Sequence, residues 1–184
     1  MPIERAKFRG TVLVEDRRTE RFFRELLVRL GFLDNKLFFR TAPSGKGAAS
    51  AWVRAQYMGE VRLVRQKRHQ RIFLIVVLDG DSTGMASKKR DLDIALDSPR
   101  HEDERIANLV PTWSIETWLL ALLEHSDIDE TSSRKQDFER HYPGKQERQG
   151  IRDAAQVWRS RAHRIPTVPS LADSKTEMKR IDLS

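Results

Sequence analysis

Apolar positions follow two different rhythms along this chain. Compact apolar runs occupy residues 11–15 (TVLVE), 36–41 (KLFFRT) and 105–110 (RIANLV), each bounded by polar residues, and each predicts a short strand. The strongest run is Ile72 to Leu78, seven apolar residues without a break, which suits a strand covered on both faces in the middle of a parallel sheet. Between the runs the rhythm turns helical. Phe22, Phe23, Leu26, Leu27 and Leu30 share one face of a helix predicted over 19–30, with Thr19 as its cap and Gly31 as its stop. Further helices are predicted over 48–58, 86–96, 113–123, 152–162 and 174–181, with the basic stretch 61–70 continuing or following the first of these. In the 113–123 segment Ile115, Trp118, Leu119 and Leu122 face inward.

Strands alternating with helices predict an α/β fold: a mainly parallel central sheet of about four strands, flanked by helices on both faces. Residues 1–125 are expected to form this α/β domain. Residues 126–184, more polar and irregular, are expected to be a partly helical C-terminal extension packed on or beside the core.

Charge narrows the partners. The chain of 184 residues has 34 Lys and Arg against 27 Asp and Glu, a net charge of +7. That balance favours a polyanion, nucleic acid before membrane, because no strongly amphipathic basic segment stands out. The densest cluster is Arg62, Arg65, Lys67, Arg68 and Arg71, read either as a track for a nucleic-acid backbone or as a solvated helix face. With no cysteine, neither a disulfide framework nor a thiolate metal site is available. MPIERAKFRG has no apolar signal core, and no run approaches the roughly 18 apolar residues of a membrane span. A soluble cytoplasmic protein is the expectation.

The candidate chemistry is acidic and sits at strand ends. Glu15 closes the first predicted strand, and Asp79 and Asp81 follow the third. Ligands of parallel α/β sheets bind beyond the carboxyl ends of the strands. Carboxylates gathered there repel one another unless a hard cation such as Mg²⁺ or Mn²⁺ neutralises them. Residues at i and i+2 of an extended chain point the same way, so Asp79 and Asp81 are expected to share one ion, with Gly80 letting substrate come close. The bland alternatives are an ordinary D-x-D turn and a solvated strand end.

LVEDRRTERFF, a strand ending in Glu15 and leading into a helix, resembles the first motif of TOPRIM domains. IVVLDGDS is similar to their D-x-D motif, and VPTWSIETWLLALL to the P-x-x-S-x-E-x-W-L-L helix of small RloB-like members. The resemblance covers roughly residues 11–123. It implies a Rossmann-like TOPRIM core and a Mg²⁺-dependent nuclease of the RloB-like or OLD-like kind, many of which serve in phage defence. By the same resemblance Glu15 is general base or metal ligand, Asp79 and Asp81 are metal ligands, and Glu116 adds a further ligand. It also implies the alternative role, a non-catalytic nucleic-acid- or partner-binding subunit of a separate ATPase. One departure bears on catalysis: Asp16 stands where the family commonly has glycine.

Other patterns carry less. APSGKGAAS lacks the first glycine of a Walker loop, although Lys46 and the loop backbone could meet a phosphate. The five histidines show no zinc spacing, and no serine sits in a G-x-S-x-G elbow.

Overall fold

In the computed structural model, residues 5–43, 49–125, 128–161 and 168–181 are described. Lys46 and the predicted helix ends at 48 and 162 lie outside them. Four strands, β1 (Arg9–Val14), β2 (Leu37–Thr41), β3 (Ile72–Val77) and β4 (Ile106–Leu109), form one parallel sheet in the order β2-β1-β3-β4. Seven α-helices accompany it among the described residues: α1 (Arg17–Arg29), α2 (Ala49–Gln66), α3 (Met85–Ile94), α4 (Ile115–Leu122), α5 (Lys135–His141), α6 (Gln146–Arg161) and α7 (Pro169–Met178). The predicted α/β class and parallel sheet are what the chain adopts.

The strand order explains where the helices go. The chain steps from β1 outward to β2, then returns past β1 to β3 and β4. Right-handed crossovers in opposite directions place their helices on opposite faces. Accordingly Val12, Val14, Phe73, Ile75, Val77 and Leu109 pack against α1, α4 and α6, while Leu13, Leu74, Val76, Leu78, Ile106 and Val110 pack against α2 and α3. Strand periodicity of two sorts the same runs into both cores. The apolar run of β3 is buried on either side for this reason.

Residues beyond 128 contribute to the first core through Phe138, Ile151, Ala154, Ala155, Trp158 and Leu171. Helix α6 lies parallel to α1, since Arg21 pairs with Glu147, Arg152 with Glu25, and Arg29 with Gln156. Helix α7 covers the edge strand: Glu177 accepts the Asn108 N–H of β4 at 2.9 Å, which removes a donor from an edge open to further pairing.

Several element ends differ from the sequence reading. Helix α1 begins two residues earlier, and its cap is Asp16, whose Oδ1 accepts the N–H groups of Arg18 (2.6 Å) and Thr19 (2.9 Å). Thr19 is buried inside the first turn and donates its hydroxyl to Asp16 Oδ2. Helix α2 runs unbroken to Gln66, so most of the basic stretch belongs to its last turns. Helix α6 starts six residues before the predicted start at Arg152, because QERQG offers no apolar face until Ile151; Gly150 fits there against the Tyr142 ring. Helix α7 starts at Pro169, a favoured first helical residue, rather than at Ser174. Helix α5 was not predicted: its one buried residue, Phe138, sets no period.

Candidate active site at the carboxyl edge of the sheet

Strands β1 and β3 are neighbours, and the strand order reverses between them. Such a switch point leaves a crevice beyond the carboxyl ends, because the crossovers on either side lead away to opposite faces. Glu15 follows β1 and Asp79 lies two residues beyond β3. They meet: the Asp79 N–H donates to Glu15 Oε1 at 3.0 Å. Two acids 64 positions apart are thus joined by parallel pairing of the strands that carry them.

Burial and like charge outweigh the relieving interactions at this contact. Burial pushes the Glu15 carboxyl up to about 7; the charges of Asp81 and Asp16 push the same way, against the Asp79 N–H and Lys88. Burial also raises Asp79 well above the usual carboxylate range, reinforced by the charges of Asp16, Glu15, Glu116 and Asp81. Five carboxylates therefore bear on one crevice.

Three of the five are already engaged. Asp16 caps α1 and occupies the helix N-terminus that an anion would otherwise use. Glu116, buried in the first turn of α4, is ion-paired with Arg18, which also reaches Glu147 at 3.0 Å. Asp81 is exposed, lies at a φ of 46°, and pairs with Lys88 at 3.3 Å. The expected extended D-x-D arrangement is therefore not the one adopted. Asp81 instead forms an antiparallel bridge with Trp113, donating its N–H to the Trp113 carbonyl at 3.0 Å. Gly80 has a different use from the one expected. A Cβ there would meet the Pro111 carbonyl oxygen at 2.8 Å, so the missing side chain admits the chain's own 111–113 segment.

Among the described residues no three His, Cys, Asp or Glu side chains are grouped so as to hold a metal ion. What the crevice does show is a Glu15 carboxylate held by the Asp79 backbone N–H, with both side chains biased toward keeping a proton. An ion held there by few protein ligands would keep several waters, which is the ordinary habit of Mg²⁺. Glu116 does not fit as a free ligand, because Arg18 neutralises it.

The basic cluster lies elsewhere. Arg62, Arg65, Lys67, Arg68 and Arg71 precede β3, at the amino edge of the sheet. Eight residues of extended chain separate Arg71 from Asp79, or roughly 25 Å. Arg62 pairs with Asp97 at 2.6 Å and Arg65 with Glu104 at 2.7 Å. The structure does not bring this cluster to the carboxylates.

Sequence reasoning missed Arg18 and Lys88. For Arg18 a signal existed: a cation in the first turn of a helix opposes the macrodipole and needs a reason to be there. Lys88 reaches Asp81 from α3, and no local pattern marks it.

Comparison with family models, curated proteins and solved structures returned no match.

Proposed function

We propose that the carboxyl edge is the active site of a divalent-cation-dependent phosphodiesterase acting on DNA or RNA, of the TOPRIM kind that the motifs resemble and fit for a role in phage defence. The observation that carries this reading is the Glu15–Asp79 contact at the β1/β3 switch point. Glu15 and Asp79, with Asp81 turned in from Lys88, would hold Mg²⁺ or Mn²⁺. Such an ion polarises a phosphoryl oxygen and lowers the pKa of a bound water.

The chain's own residues supply the rest. Glu15, with a carboxyl near neutrality, is suited to accept the proton of an attacking water. Asp79 fixes Glu15 through its backbone N–H and so aims that carboxyl. Arg17, exposed at the start of α1 two residues after Glu15, would be the nearest cation in sequence to offer a phosphate oxygen. Arg18 keeps Glu116 neutralised and away from the reacting phosphate.

The test is cleavage of plasmid DNA and structured RNA with Mg²⁺ or Mn²⁺ by the full chain and by Asp79→Asn and Glu15→Gln. A loss of about 10²–10⁴-fold in either variant is expected. Equal rates in all three proteins would overturn the proposal.

A second reading is favoured by the same crevice: a non-catalytic nucleic-acid- or partner-binding subunit working with a separate ATPase. Its support is that among the described residues no three His, Cys, Asp or Glu side chains are grouped so as to hold a metal ion, and that Glu116 is already paired. Calorimetry separates the two, since heat on titrating Mn²⁺ into the protein, abolished in Asp79→Asn, belongs only to the first.

A further inference from the structure

At the opposite edge of the sheet, three neighbouring strands start with arginine. Arg9 opens β1, Arg71 precedes β3 and Arg105 precedes β4. Backbone hydrogen bonds fix the alignment: the Arg9 N–H donates to the Arg71 carbonyl and the Leu74 N–H to the Arg105 carbonyl, each at 2.9 Å. The guanidinium carbons of Arg71 and Arg105 lie 5.9 and 5.2 Å from the ring centre of Phe8, so two like charges converge on one aromatic side chain. Two grooves flank this row. One, of about 730 Å³, includes Arg65, Arg68, His101 and Arg105 in its lining, together with the acids Asp103 and Glu104. The other, of about 180 Å³, includes Arg9 and Lys67. Val64 and Ile72 line both and form the ridge between them.

Several of the acids on this surface are already held by other cations. Glu60 is held by Arg40, Glu104 by Arg65 and Asp97 by Arg62, leaving Glu102 and Asp103 exposed. Arg9, Lys67 and Arg68 are exposed, and among the described residues their side chains make no ion pair or hydrogen bond. Exposed cations held near one another raise a local positive potential that an approaching anion relieves. Adjacent strands lie ~4.8 Å apart, so the row alone spans ~10 Å. With the two grooves beside it, the surface suits an extended chain of phosphates better than a single one.

We infer that the amino edge of the sheet, around Arg9, Lys67, Arg68 and Arg105, is a docking surface for the phosphate backbone of a nucleic acid. This rests on the nucleic-acid reading above for the identity of the ligand. It adds that docking and cutting occur at opposite edges, roughly 25 Å apart along β3. At ~3.4 Å per base pair, a duplex shorter than about 8 base pairs cannot reach both edges.

The test is fluorescence anisotropy with labelled DNA and RNA duplexes of about 6 and about 24 base pairs, in EDTA, between about 50 and 200 mM salt. The proteins are the full chain, Arg9→Ala/Arg68→Ala, Arg62→Ala and Asp79→Asn. The double variant removes two unpaired surface side chains, so its fold is retained. Its plot of log K against log salt should flatten by about 1.8, at about 0.9 for each lost duplex phosphate contact. Arg62→Ala and Asp79→Asn should keep the slope of the full chain. The inference is overturned if the double variant keeps that slope, if Arg62→Ala flattens it equally, or if the full chain binds neither polymer. Polyglutamate competing as well as duplex would also overturn it. Binding differences between DNA and RNA decide which polymer docks. Docking without cleavage by any metal would sink the catalytic reading alone; cleavage with an unchanged slope would sink the docking surface alone.

Discussion

Arg18–Glu116 and Arg62–Asp97 are both arginine–carboxylate pairs, one beyond each end of the same sheet, and they differ in what surrounds them. The Arg18 and Glu116 side chains are 16% and 5% exposed; those of Arg62 and Asp97 are 56% and 62% exposed. At the carboxyl edge, helices α1, α4 and α6 pack around the Arg18–Glu116 pair, so these two charges are largely shielded from water and feel one another, while Asp81 stays exposed. At the amino edge the chain enters the strands from open loops and a helix end. There, charges sit in solvent, where each pair adds little and only their sum attracts a partner.

The largest test of this contrast is Arg18→Ala, which leaves Glu116 buried without a counter-charge. A loss of about 3–5 kcal/mol is expected by urea unfolding, as for other broken buried pairs. Gly80→Ala comes next. Its Cβ has to displace the Pro111 carbonyl, and the steric cost should be about 1–3 kcal/mol, with the Asp81–Trp113 bridge disturbed.

A smaller effect is tied to pH. Glu15 holds its proton to about pH 7 when folded but only to its ordinary 4.5 when unfolded. The folded state therefore binds the extra proton between those values, and stability falls as pH rises from about 4.5 to about 7. Asp79 acts in the same direction. In EDTA, Glu15→Gln should match the parent near pH 4 and exceed it by about 1–2 kcal/mol at pH 8, after allowance for solvent screening. A thermal melt at both pH values reads this as a rise of about 2–4 °C per kcal/mol. Equal melting temperatures at pH 8 would show the crevice to be better hydrated than the fold implies. The smallest effect belongs to the amino edge: Arg62→Ala should shift urea stability by less than about 1 kcal/mol. A larger loss there would erase the difference between the edges.

How much of this was legible in the sequence depends on the range of the interaction. The four strands were readable because burial on both faces leaves continuous apolar runs, Ile72 to Leu78 most plainly. That Glu15 and Asp79 belong together was readable from the rule for carboxyl ends of parallel strands. Other features were not readable. Asp16 and Thr19 both suit a helix cap, and the choice fell to Asp16 because Thr19 is buried in the first turn. Asp81 departs from the extended geometry because the 111–113 segment, some thirty residues away, takes the space beside Gly80. Helix α5 rests on a single buried phenylalanine, too little to make a period.

By itself, the sequence determined the class of fold, the sheet's buried strands and the acids at their ends, because those follow from local burial patterns and from pairing rules that hold for any parallel sheet. Only the tertiary structure decided which charges were neutralised. Arg18 reaches Glu116, Lys88 reaches Asp81, and the Arg62–Arg71 cluster falls on the far edge from the carboxylates. Those outcomes depend on which helices close over which strand ends. Electrostatic partners of this kind are chosen by proximity in space, and nothing in their spacing along the chain records it.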